Sequence, residues 1–60
     1  MSPTPEEIKA ARKAAGMSQT EAARTIGTER YQTWQAYELG IRKMPAAKWE
    51  LFRLKTENKR

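Results

Sequence analysis

Apolar residues recur along this chain at helical rather than strand spacing. Ile8, Ala11 and Ala15 make one inner face, and Ala22, Ala23 and Ile26 a second. Trp34 and Tyr37, three apart, make a third. The last third carries two stripes on adjoining faces, Ala47–Leu51–Leu54 and Trp49–Phe52. Start and stop signals divide these faces into four helices. Thr4-Pro5-Glu6-Glu7 and Ser18-Gln19-Thr20-Glu21 are capping boxes, in which hydroxyl and carboxylate satisfy each other's backbone N–H. Met17 before the second box and Ala22 after it have the spacing of a hydrophobic staple. Gly16, Gly27 and Gly40 stand where helices stop. The pattern predicts helices over about 5–15, 19–26, 30–38 and 45–55, with a polar, basic tail at 56–60 that frays. Pro45 is placed at the first position of the last helix, after Met44, a poor cap. Ile41 and Met44 flank Arg42-Lys43 in a loop and fold back onto the domain.

Sixty residues make one domain. A chain of this size buries only roughly 60% of its unfolded surface. With no Cys and no His, neither a disulfide nor the most versatile metal ligands are present, so helix packing or pairing of copies must supply stability. No apolar run is long enough to span a membrane and the start has no signal-peptide pattern, so a cytoplasmic protein is expected. The formal charge of +5 favours a polyanionic partner. There is no nucleophile–base pair, Gly-rich phosphate loop or carboxylate cluster, so no enzyme, cofactor or metal is expected.

The stretch Ser18–Gly40 reads as two short helices with small residues at their crossing and a Gly turn between them, a helix-turn-helix. It resembles the DNA-binding unit of the Cro/lambda-repressor-type (XRE-type) family, at Gln19, Ala23, Gly27, Trp34, Tyr37, Glu38 and Gly40. The likeness extends to Ile8, Arg12 and Gly16 upstream and to Arg42 and Lys43 downstream. One departure is a turn longer by one residue, placed within Thr28 to Arg30. The resemblance implies an all-α, compact four-helix lambda-repressor-like domain. It also implies an ion pair between Arg12 and Glu38 that ties the first helix to the recognition helix. An Arg on an apolar face needs such a partner, because an unpaired buried charge is costly.

Residues near the start of a recognition helix meet base edges in the major groove. Gln32 is the first candidate reader, since a glutamine can bond adenine at N6 and N7. Thr33, Gln35, Tyr31, Ala36 and Arg30 are the others, Ala36 through a thymine methyl and Arg30 through guanine or phosphate. Ser18 and Gln19 open a helix, where free N–H groups favour phosphate. In the resembling family this Gln bonds a phosphate. Thr28, Arg42 and Lys43 are further phosphate candidates, and Arg24 reads equally as plain surface.

Two apolar stripes on the last helix exceed what so small a monomer can cover. Trp49, Phe52 and Leu51 are therefore expected at a homodimer interface. The function expected is sequence-specific binding of double-stranded DNA at a pseudo-palindromic operator, with half-sites ~34 Å apart. By family analogy this is a Cro-like repressor occluding a promoter, of the small kind found in phages and mobile elements. The rivals are the DNA-binding antitoxin of a toxin–antitoxin pair and a protein-interaction module of the same fold.

Overall fold

Both capping boxes form, and each starts a helix. In the computed structural model, which describes residues 2–28 and 30–57, the Glu7 backbone N–H donates to Thr4 Oγ1 at 3.1 Å and the Thr4 N–H donates to Glu7 Oε1 at 2.8 Å. This opens α1 (Pro5–Ala14), with Pro5 at its start. Ser18 and Glu21 repeat the exchange at 3.2 and 3.0 Å and open α2 (Gln19–Thr25). α3 (Tyr31–Leu39) and α4 (Ala46–Glu57) follow. The chain is a small all-helical domain of four helices, with no strand among the described residues.

The turn between α2 and α3 is built from backbone bonds. The Gly27 N–H donates to the Arg24 carbonyl at 3.1 Å and the Thr28 N–H to the Ala23 carbonyl at 2.9 Å, the paired closure of a Schellman motif. The motif needs a left-handed residue, and Gly27 stands at φ +78° with open space where a Cβ would go. The cost of Gly27→Ala is thus purely conformational, about 1–2 kcal/mol. Gly40 has the same φ, but a Cβ there would sit 3.3 Å from Pro5 Cγ, where α1 begins against the end of α3. Gly40→Ala should therefore lower the urea midpoint more than Gly27→Ala does. Equal losses would mean that the close approach of Pro5 does not matter.

α2 and α3 pack on one another, α1 lies against α3, and α4 touches α2. The core joins all four: Ile8 from α1, Ala22 and Ala23 from α2, Trp34 and Tyr37 from α3, Phe52 from α4, with Met17, Ile26 and Met44 between elements. Ala22 and Ala23 have no exposed surface, so the two helices cross at small residues. Ala11, Ala15 and Trp49 pack at its edge.

Four expectations are corrected. Phe52 is not interfacial: it is fully buried in the monomer, its ring centroid 4.9 Å from that of Trp34. Of the two stripes on α4, the aromatic one turns inward and Ala47, Leu51 and Leu54 are left exposed. Met44 folds back as expected, but Ile41 does not, remaining 74% exposed. Pro45 is the N-cap rather than the first helical residue, because its carbonyl accepts the first helical bond, from the Trp49 N–H at 3.1 Å. Residues 56 and 57 do not fray but continue α4, where the Thr56 hydroxyl donates to the Phe52 carbonyl at 2.9 Å. The remainder of the expected tail, 58–60, lies outside the described residues, as does Glu29 in the lengthened turn.

Candidate nucleic-acid interface

α3 divides along its length into a side that holds the fold and a side that faces out. Trp34 and Tyr37 point into the core. Tyr31, Gln32 and Gln35 are exposed, and Thr33 and Ala36 are half-buried at the margins. Leu39 shares the outer side, one turn beyond Gln35 and two beyond Gln32, and is 63% exposed. Sequence reasoning missed Leu39, reading it only as the spacer between Glu38 and Gly40. The available signal was its helical register with Gln32 and Gln35.

The inner side of α3 ends in a carboxylate that gathers the domain. Arg12 Nε donates to Glu38 Oε2, and Arg12 Nη2 to Oε1 at 3.4 Å. Gln19 Nε2 donates to Oε1 at 3.3 Å, and the Trp34 indole N–H donates to Oε2. Arg12 also caps the loop after α1, with Nη1 donating to the Met17 carbonyl at 3.0 Å. Side chains from α1, α2 and α3 thus meet on one anion, whose side chain is only 6% exposed. Burial alone would raise the Glu38 pKa. Hydrogen bonds from Arg12, Trp34 and Gln19, with the charge of Arg12, outweigh it and hold the carboxyl below its ordinary value. The expected Arg12–Glu38 pair is present, while the donations by Gln19 and Trp34 were not foreseen.

The phosphate candidates are placed less uniformly. The Gln19 amide donates one N–H to Glu38 at 3.3 Å and keeps its second N–H for another acceptor. Ser18 accepts the Glu21 N–H through Oγ and keeps its hydroxyl proton to donate. Thr28 stands in the turn, where Lys48 Nζ of α4 reaches Thr28 Oγ1 at 3.4 Å. Lys48, twenty residues away in sequence, is a cation that the linear reading did not place here. Arg42 follows α3 closely: the Ile41 and Arg42 N–H groups both bond the Ala36 carbonyl, at 3.0 and 3.3 Å. Arg30 caps the other end of α3 through its backbone, with no side-chain capping bond. Arg30, Arg42 and Lys43 are exposed and have no carboxylate partner among the described residues. Cations with no carboxylate partner among the described residues therefore stand before and after the outer side of α3.

No protein-family model matches the chain, and no curated protein matches it. No helix among the described residues is long and apolar enough to cross a membrane.

Proposed function

We propose that the chain is a sequence-specific double-stranded DNA-binding protein of the Cro/lambda-repressor type, acting in the cytoplasm without catalysis to repress transcription by occupying a promoter. One observation carries the reading: a nine-residue helix is locked from behind by Trp34, Tyr37 and Glu38, faces out with Gln32 and Gln35, and has exposed cations at both ends. The donor and acceptor pair of a glutamine amide suits adenine in the major groove. Arg30, Arg42 and Lys43 suit the phosphates on either side, which position a protein without reading sequence. Lys48 at the turn adds a fourth charge near Thr28.

The test is fluorescence anisotropy of the protein on a duplex of its own upstream promoter, beside a scrambled duplex, at two salt concentrations. The promoter should bind at least ~10³-fold more tightly. Gln32→Ala should weaken promoter binding about 10- to 100-fold, the value of one bidentate base contact, and leave the scrambled duplex unaffected. Arg42→Ala should weaken both duplexes alike and lower the salt slope by about one. Equal affinity for both duplexes, unchanged by Gln32→Ala, would overturn the reading and leave the outer side of α3 to a protein partner.

A further inference from the structure

α4 presents an apolar stripe on the side opposite Phe52. Ala47, Leu51 and Leu54 lie within about 60° of one another around the helix at 3.6 residues per turn. All three are exposed, Leu54 by 60%. Their spacing is that of successive d, a and d positions of a heptad. Glu50 and Glu57 then fall on the g edge of the stripe, and Lys48 and Lys55 on the e edge. Lys48 is half-buried and bonded to Thr28. Glu50 and Lys55 are exposed, and neither has an ion-pair or hydrogen-bond partner among the described residues.

We propose that a second copy of this chain covers the stripe, its α4 running parallel, with Glu50 of each copy against Lys55 of the other. The charges on the two edges decide the direction. In a parallel pair the g edge of one helix faces the e edge of its partner, so acid meets base on both sides. In an antiparallel pair g faces g and e faces e, so Glu meets Glu and Lys meets Lys. The occupant follows from the same pattern, because a helix acidic on one edge and basic on the other is complementary to itself under a two-fold rotation. Parallel pairing has a geometric consequence. Lys48 ties the first turn of α4 to Thr28, so a two-fold axis along the α4 pair brings both α2–α3 turns to the same end of the dimer. The pairing itself does not depend on the DNA reading.

Three side chains over less than two heptads make a small interface, so a weak pair is expected, with Kd of the order of 100 μM. Sedimentation equilibrium without nucleic acid, from about 10 μM to about 1 mM, brackets that value. The wild-type chain should pass from monomer to dimer across the range, and Leu54→Asp should stay monomeric. Glu50→Lys alone and Lys55→Glu alone should each weaken association at least about tenfold, as like charges then face each other. Mixing these two variants one to one should restore it, and so should the double variant E50K/K55E. Restoration on mixing also certifies that each single variant is folded. A wild-type chain that is monomeric at about 1 mM, or single variants that associate more tightly than wild type, would overturn the proposal. Loss of DNA binding with pairing retained would overturn only the proposed function.

Discussion

Glu38→Ala should remove most of the stability of the domain. Deleting one partner of a buried ion pair costs about 3–5 kcal/mol, because the other charge is left without compensation. A 60-residue domain has only roughly 3–9 kcal/mol in all. Both side chains are largely enclosed, 14% exposed for Arg12 and 6% for Glu38. Glu38→Gln should be nearly as damaging. The carboxylate is acceptor-only and receives N–H donations from Arg12, Gln19 and Trp34. A carboxamide would turn its own NH2 toward one of those donors. The pH dependence follows from the depressed pKa. Its stabilisation is fully present above the ordinary carboxylate value of 4.5 and is lost as pH falls through the lower folded-state value. Urea denaturation at neutral pH and at successively lower pH checks both effects. The wild type should lose stability on acidification, and Glu38→Gln should lack that component. A neutral-pH loss under about 1 kcal/mol would mean that the pair is effectively solvated.

Phe52→Ala is the second large effect, about 3–5 kcal/mol. Phe52 has no exposed surface, packs against Trp34, and stacks with Trp49 at a centroid distance of 6.4 Å and an interplanar angle of 12°. It is the residue through which α4 is anchored to the core, so its truncation should free the helix as well as open a cavity. The loss should be independent of protein concentration, since the ring is buried within one copy. Leu54→Ala makes the comparison at concentrations where the chain is monomeric. As an exposed truncation it should change the unfolding free energy by no more than about 0.5 kcal/mol. A midpoint for Phe52→Ala that recovers as concentration rises would place the ring between copies instead.

Local chemistry made most of the fold legible. The capping boxes at Thr4 and Ser18 and the glycines that end α1, α2 and α3 announce themselves, because each works through neighbours in sequence. α4 was harder. Periodicity exposed its two stripes but carries no information about which faces inward. That choice is made by Phe52 meeting Trp34, eighteen positions away in sequence. The start of α4 was misplaced by one residue because Met44-Pro45 offers no capping side chain. At the candidate interface, Arg12 and Glu38 were legible through the family resemblance. The other donors to Glu38 were not, since a Gln at a helix start suggests a phosphate ligand and a Trp at helical spacing suggests core alone. Trp34 is both core and donor. Lys48 beside Thr28 joins segments that only the packing of α4 against α2 brings together.

The division of α3 bears on how such a protein diversifies. The residues that hold the helix in place, Trp34, Tyr37 and Glu38, do not overlap with those that face out, Tyr31, Gln32, Gln35 and Leu39. Whatever the outer side contacts, a change of preference there leaves the core and its buried ion pair intact. Because exposed substitutions cost little stability, the outer positions can explore new targets one substitution at a time while the chain remains folded. The inner three are not free in that way: each change there is tested first by folding, before any new contact is made. Drift should therefore be fast on one side of α3 and slow on the other, and a lineage of such chains could acquire new binding preferences on an unaltered scaffold.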